Sequence, residues 1–264
     1  MSIIIFSPSK HSSYASLVAE LLHQNDIRVS GFVTRRLFSF KRLFKEIRFD
    51  SRRLIENIYR KLILRKASHG ADISGFNKFA EENSIKIRAL REISEEMKVP
   101  NIFCYDLNEA KVENFLKEIK PDIIIFCGGG ILRENIISVA KLGVINCHMG
   151  ILPKYRGMDC YLWAILKNDE DNIGLTTHLI DEGIDTGRII SRKRISIKSL
   201  TSIRQIEQEL EYNMASLLCS SIDSLIKDRK IENLEKQKSE DGKQYFSLSV
   251  DLRNIAEEYL KRPK

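Results

Sequence analysis

The chain opens on an unbroken apolar run, Ile3-Ile-Ile-Phe6, then a polar loop, Ser7-Pro-Ser-Lys-His-Ser-Ser13, then a patterned stretch over residues 14–23. A short apolar run that ends in small polar residues before a helix-period segment predicts a strand–loop–helix unit, with residues 27–33 as the next strand. The alternation resumes downstream. Residues 76–98 are polar with helical spacing, 102–105 read as a strand and 109–119 as a helix. Residues 122–127, apolar after Asp122, have no polar face and suit a central parallel strand. Residues 143–147 form a further strand, 158–166 a helix, and 173–180 and 188–197 two late strands. Ser202-Ile-Arg-Gln205 has the spacing of a capping box and predicts a long helix over 203–226. Asp241-Gly242 predicts a hairpin turn before 243–248, and 252–260 a last helix. Strands alternating with helices predict an α/β protein with a doubly wound, mostly parallel sheet. Residues 1–197 are expected as one domain, with a small α+β appendage over 198–264.

Residues 35–66 interrupt this pattern. Phe40, Leu43, Phe44 and Ile47, then Ile55, Ile58 and Leu62, recur at helical spacing with Lys and Arg between them, which predicts two amphipathic helices. The segment holds twelve Lys/Arg against Glu46, Asp50 and Glu56, so it accounts for more than the whole net charge of +7. Its basic character fits a phosphorylated substrate, an anionic membrane surface or RNA, or simply an insertion with a solvated basic face. No apolar run approaches the roughly 18–20 residues that span a bilayer, and no signal-peptide pattern is present. The five cysteines (Cys104, Cys127, Cys147, Cys160 and Cys219) show no metal spacing. They are expected as free thiols in a reducing, cytoplasmic setting.

Two residues at the end of the 143–147 run add chemistry. Asn146 and His148, two apart on a strand, point to one side. An acidic loop, Asp181-Glu-Gly-Ile-Asp185-Thr-Gly187, follows the next strand. An amide donor, an imidazole and a carboxylate are the parts that acyl transfer requires: an oxyanion donor, an acid/base and an orienter. At the end of strand 122–127, Gly128-Gly-Gly-Ile-Leu132 lets backbone approach a ligand at the carboxyl end of the sheet. His178 and Trp163 are read as structural, and Cys147, alternating with its neighbours, as facing the core.

The string Asn-Cys-His-Met-Gly-Ile-Leu-Pro-Lys-Tyr-Arg-Gly at 146–157, followed by Ile184-Asp-Thr-Gly187, resembles the signature of folate-dependent formyltransferases. The family includes glycinamide ribonucleotide, methionyl-tRNA and sugar-nucleotide N-formyltransferases. The likeness runs from about residue 121 to 188 and more faintly back to Ile3. Gly150 stands where Ser is common, and Cys147 where an aliphatic residue is common. The resemblance implies Asn146 as oxyanion donor, His148 as acid/base and Asp185 as its orienter and proton relay. It implies 10-formyltetrahydrofolate as formyl donor, without a metal, held by Gly129, Gly130, Ile131 and Leu132 and by Asp181, Glu182, Gly183 and Ile184. In the family the first loop lies beside the acceptor, which points to Lys10, His11 and Ser12, although the serines equally suit a helix cap. Lys154 and Arg156, with Tyr155 and Gly157, are expected to contact acceptor phosphate or sugar, or else to cap the next helix.

The acceptor is left more open. The layout resembles sugar N-formyltransferases of surface-polysaccharide pathways, so a nucleotide-linked amino sugar is the expected small-molecule partner. The basic segment suits its diphosphate or peripheral contact with the inner membrane face. Nucleic acid is not expected as a partner, and a homodimer is compatible with the sequence. The other readings are formylation of an amino acid, peptide or tRNA, hydrolysis of the formyl donor, and a non-catalytic RNA- or membrane-binding protein with a vestigial pocket.

Overall fold

The structure is a computed structural model that describes residues 1–36, 74–228 and 231–262. The two helices expected in the basic segment therefore lie almost wholly outside the described residues. In chain order the strands are β1 (Ile3–Ser7), β2 (Val29–Arg35), β3 (Asn101–Cys104), β4 (Ile123–Phe126), β5 (Gly143–His148), β6 (Tyr155–Gly157), β7 (Gly174–Leu179), β8 (Ile189–Arg194) and β9 (Lys243–Tyr245). The α-helices are α1 (Ser13–Gln24), α2 (Gly75–Glu82), α3 (Leu90–Glu96), α4 (Ala110–Ile119), α5 (Glu134–Ile137), α6 (Cys160–Leu166), α7 (Ile203–Asp228) and α8 (Val250–Leu260).

Seven strands form one sheet in the order β3-β2-β1-β4-β5-β7-β8. The pairings from β3 through β5 are parallel, and β7 and β8 add antiparallel strands. Strand order reverses between β1 and β4, and a ligand crevice is expected outside the carboxyl ends of the strands at such a point. Alternation along the strands divides the core into two layers. Ile3 and Ile5 of β1, with Ile123 and Ile125 of β4, face a first core against α1, α2, α3, α6, α7 and α8. Ile4, Phe6, Ile124 and Phe126 face a second core with Val112 and Leu116 of α4 and Ile136 of α5. A strand buried on both faces needs apolar residues at every position, which is why β1 and β4 read as continuous runs.

Three expectations are corrected. The polar stretch over 76–98 forms two helices, because the chain turns at Ser84 (φ +56°) and buries Ile85. Asp241-Gly242 is not a hairpin turn, since Gly242 is extended (φ −165°) and the following β9 pairs in parallel with β6. A side chain at Gly242 would meet the Pro153 carbonyl oxygen at 1.7 Å, so close chain approach explains that glycine. A short strand, β6, also precedes α6 where only a helix is expected.

The expected boundary at 197 falls between β8 and α7. Ile206, Leu210, Leu218 and Ile222 of α7 are fully buried in the first core. The capping spacing that predicts this helix is realised locally, with the Gln205 N–H donating to Ser202 Oγ at 3.2 Å and the Thr201 N–H to Gln205 Oε1 at 2.8 Å. Among the described residues no helix is long and apolar enough to cross a membrane. All five cysteines are buried and unpaired, and Cys147 lies in the first core, its thiol pushed up by burial.

Candidate active site

The site is built where β5 ends. Asn146 and His148 lie on the same side of that strand, opposite Ile145 and Cys147, which enter the first core. Antiparallel β7 sets Asn146 opposite His178 and His148 opposite Thr176. Register thus brings a second imidazole to the pair. Asn146 Nδ2 lies 3.2 Å from His178 Nε2, and His178 Nδ1 lies 2.8 Å from the Leu179 carbonyl oxygen. Nε2 of His178 thus faces both the Asn146 amide and the Asp185 carboxylate, and the Asn146 amide keeps an N–H for a ligand. His178, expected as a structural strand residue, thus contacts Asn146 and the Asp185 carboxylate. The signal was available, because His178 shares the alternation of Thr176 across from His148, but it required the β5–β7 register.

Asp185 completes the cluster from the loop between β7 and β8. Its Oδ2 lies 3.5 Å from His148 Nδ1 and accepts the Gly157 N–H at 2.9 Å, while Oδ1 lies 3.4 Å from His178 Nε2. Asp185 has a left-handed backbone (φ +53°), unusual for a residue with a side chain. Gln237 holds it there, its Nε2 donating to the carbonyl oxygens of Asp185 at 3.0 Å and Gly187 at 2.6 Å. Gly187 is required because a Cβ would stand 1.9 Å from the Leu179 carbonyl oxygen. Burial disfavours the Asp185 anion, but the His178 contact, the nearby imidazoles and the Gly157 N–H outweigh it and hold the carboxyl at about 2.

His148 is 8% exposed. Burial depresses its pKa below the ordinary 6.5, against the opposing pull of Asp185, so the ring is neutral at pH 7. Its Nε2 donates to the Tyr155 carbonyl oxygen at 2.9 Å. That bond fixes the tautomer and leaves Nδ1, on the Asp185 side, as the basic nitrogen. Gly150 makes this pose possible, because a Cβ there would stand 2.6 Å from His148 Nε2 and 2.8 Å from Cys160 Cβ.

The residues expected as acceptor contacts after the Leu152-Pro153 step have partners within the protein. Arg156 is buried, with Nε donating to Gln237 Oε1 at 3.3 Å and Nη2 to the Lys238 carbonyl at 2.7 Å. Tyr155 is 1% exposed and donates its hydroxyl to Asp169 at 2.7 Å. Gly157 gives its N–H to Asp185, and Lys154 pairs with Asp169 at 2.6 Å. These residues brace the site and its C-terminal support. A residue type that suits phosphate also suits a carboxylate or a carbonyl, and sequence alone does not choose between them.

The glycine loop after β4 carries three left-handed glycines, Gly128, Gly129 and Gly130, at φ +96°, +125° and +128°. Ile131 stands out into solvent at 72% exposure, while Leu132 turns into the second core. The Asp181 carboxylate accepts the Gly183 N–H at 3.2 Å and the Thr186 hydroxyl at 2.6 Å, and Glu182, Gly183 and Ile184 are exposed. In the first loop, Ser12 Oγ accepts the Ala15 N–H at 3.2 Å and caps α1, whereas Lys10 and His11 are exposed. A cleft of about 520 Å³ opens beside Asn146, bordered by Ser12, Ser13, Tyr14, Phe76, Met149 and Met214. The Tyr14 hydroxyl, at its edge, is buried with no hydrogen-bond partner among the described residues. Among the described residues, no group of three or more His, Cys, Asp or Glu is arranged to hold a metal ion.

An open α/β sheet with an amide, an imidazole and a carboxylate converging at the carboxyl end of its strands is the arrangement of a group-transfer enzyme. Residues 76–222, more than half of the chain, match the family described as Formyl transferase, and the chain belongs to that family. It is 39% identical over 121 residues to a methionyl-tRNA formyltransferase of Thermodesulfovibrio yellowstonii, a match covering 44% of this chain and 39% of that protein. It is 31% identical over 148 residues to the bifunctional polymyxin resistance protein ArnA of Wigglesworthia glossinidia brevipalpis, covering 56% of this chain and 22% of that protein. The chain thus spans less than half the length of these curated relatives.

Solved structures share the fold over most of the chain. Phosphoribosylglycinamide formyltransferase of Bacillus halodurans superposes with a TM-score of 0.58 at 15% identity, covering 87% of this chain and 97% of that one. An N-formyltransferase of Helicobacter canadensis, solved with folinic acid and dTDP-3-aminofucose, does so with a TM-score of 0.57 at 16% identity, covering 98% and 80%.

Proposed function

We propose that the chain moves the formyl group of 10-formyltetrahydrofolate to a primary amine, and that the amine belongs to a nucleotide-linked amino sugar. The convergence of Asn146, His148 and Asp185 in a member of the formyl transferase family carries this reading. The folate supplies an activated formyl carbon. Gly129, Gly130 and Ile131 are open to it on one side, and Glu182, Gly183 and Ile184 on the other. The amine-bearing group enters the cleft beside Asn146, where the Tyr14 hydroxyl, without a partner among the described residues, and the hydroxyls of Ser12 and Ser13 meet an apolar wall of Phe76, Met149 and Met214. Such a wall with a few convergent hydroxyls suits a sugar ring, which has an apolar face and a polar edge.

The residues divide the work. The Asn146 N–H left over by His178 donates to the formyl oxygen as it gains charge, a contribution of about 3–4 kcal/mol by comparison with other oxyanion donors. As the amine attacks the formyl carbon, His148, neutral at pH 7, takes the amine proton on Nδ1 while Nε2–H stays on the Tyr155 carbonyl. The proton passes to the folate nitrogen as its bond to the formyl carbon breaks and tetrahydrofolate leaves. The Asp185 anion, 3.5 Å from Nδ1, stabilises the imidazolium so formed. Burial keeps these charges out of water and strengthens each interaction.

Gly150→Ala should cut kcat about ten- to a hundredfold with little change in acceptor KM, because the added methyl group displaces the ring from the Tyr155 carbonyl. Unchanged steady-state kinetics would show that the pose of His148 is not what glycine preserves.

An aminoacyl acceptor is the second reading, favoured by the 39% identity to a methionyl-tRNA formyltransferase and by the methionines in the cleft wall. Both readings are tested by offering the protein 10-formyltetrahydrofolate with a panel of nucleotide-linked amino sugars, free amino sugars and methionyl-tRNA, with products read by mass spectrometry. A formylated sugar nucleotide is expected. Formylation of methionyl-tRNA alone would replace it, and product from no acceptor would end the transferase proposal.

A further inference from the structure

A second cavity lies apart from the Asn146–His148–Asp185 cluster. It measures about 1090 Å³ and lies at the β1–β2–β3 end of the sheet. The proposed function gives it no role beyond Lys10 and His11, which stand on its rim. Its floor comes from the sheet. Thr34 of β2 and Asn101 and Phe103 of β3 share the parity of Phe32, which faces the first core, so the cavity opens on the same side of the sheet as the cleft beside Asn146.

One loop joins the two spaces. Ser9, Lys10 and His11 line the large cavity, and Ser12 and Ser13, the next two residues, line the cleft. A molecule lying across this loop would therefore place one end against Asn146 and the other over β2 and β3. The glycine loop after β4 leads to the opposite layer through Leu132, so the folate is expected on the other side.

The chemistry of the cavity is asymmetric. Among the described residues, Lys10, Arg35, Arg36 and Arg91 line it against a single acid, Glu95, which is bound to Arg91 at 2.7 Å. The Arg36 guanidinium lies over the Phe103 ring, 5.1 Å from its centroid, so the cavity wall offers an aromatic ring and a guanidinium plane side by side. Nucleobases lie readily on aromatic rings and on guanidinium planes. Asn101 adds a specific donor. Its Oδ1 accepts the Thr34 hydroxyl at 2.8 Å, and its Nδ2 is buried without a partner among the described residues. Arg35 is braced by the carbonyl oxygens of Gly129 at 2.5 Å and Tyr105 at 3.2 Å, which fixes its charge at the cavity edge.

We infer that this cavity binds the nucleoside diphosphate of the acceptor, its base on the Arg36–Phe103 pair and beside Asn101, and its diphosphate over Lys10 and Arg35. The inference rests on the reading of the acceptor as nucleotide-linked, and it assigns the recognition of that handle to β2, β3 and the first loop rather than to Lys154 and Arg156. This pair and the fixed cations bind the nucleotide before the amine is positioned. The nucleotide should therefore govern acceptor KM, while the cleft governs turnover.

The test uses the full-length protein and calorimetry with UDP, dTDP and GDP as separate probes, each without folate, and inorganic diphosphate as control. At least one nucleoside diphosphate is expected to bind with one-to-one stoichiometry and more tightly than inorganic diphosphate. Arg36→Ala, at an exposed position, should weaken it about tenfold or more. Phe103→Leu should weaken the nucleotide but not inorganic diphosphate. In turnover, Arg36→Ala should raise acceptor KM by a similar factor with kcat kept within about twofold.

The inference is overturned if none of the three nucleotides binds, if inorganic diphosphate binds as tightly, or if both variants bind as the parent does. Displacement of the nucleotide by folinic acid would assign the cavity to the folate's anionic tail and overturn it equally. Failure of the formyl-transfer reading is seen separately, as bound nucleotide with no tetrahydrofolate released from any acceptor.

Discussion

His148→Ala is expected to lower kcat for formyl transfer about a hundred- to ten-thousandfold, the range for removal of a positioned acid–base group. Affinity for folinic acid should be nearly kept. The ring is almost wholly buried and both its nitrogens already face protein groups, so it offers little surface to a bound folate. Its removal deletes the only acceptor for the amine proton among the three clustered residues, because Asn146 has none to spare and Asp185, held at about 2, is a weak base at pH 7. The substitution also leaves the Tyr155 carbonyl without its donor, so some loss of melting temperature is expected. His148→Gln, whose longer amide can place an N–H near the Nε2 position, separates the two effects. It should recover stability without recovering turnover. If either variant retained kcat within about tenfold, His148 would not be the group that moves the proton.

Asp185→Asn should be the next most damaging change, at about a hundred- to a thousandfold in kcat. The amide keeps the shape and can still accept the Gly157 N–H, but it removes the charge that offsets the imidazolium. The pH profile gives a readout that misfolding would not produce. Burial lowers the pKa of His148 and Asp185 raises it in opposition. In the parent protein the acid limb of kcat should therefore lie below pH 6.5, the ordinary histidine value, with activity falling as the ring protonates. With Asp185 neutralised the raising influence is gone, and the limb should move to still lower pH. An upward shift would mean that the carboxylate does not act on His148 as the geometry indicates. The double variant should cost little more than His148→Ala alone, because the carboxylate works through the ring.

Much of this was legible in residue patterns. The runs of β1 and β4 announced strands buried on both faces, and the 146–157 and 184–187 strings singled out Asn146, His148 and Asp185, which the fold brings together. What escaped depends on partners distant in sequence. His178 is an ordinary strand histidine until the β5–β7 register sets it opposite Asn146. Gln237 lies fifty residues from the Gly187 carbonyl it holds, and nothing local marks it. Arg156 and Lys154 had the charge expected of an acceptor contact, yet the fold spends both on carbonyl and carboxylate partners nearer at hand. Gly150 looked like a deviation from the usual serine, and only the His148 ring above it gives that glycine a purpose. Glycine and charge are cheap to read in sequence, but which neighbour demands them is a tertiary fact.

The most direct test follows both products of one reaction. With 10-formyltetrahydrofolate and a nucleotide-linked amino sugar, tetrahydrofolate release and formylated sugar should appear in equal amounts, and both should fall together in His148→Ala and Asp185→Asn. Tetrahydrofolate released without formylated acceptor, or equal products undiminished by His148→Ala, would contradict the account.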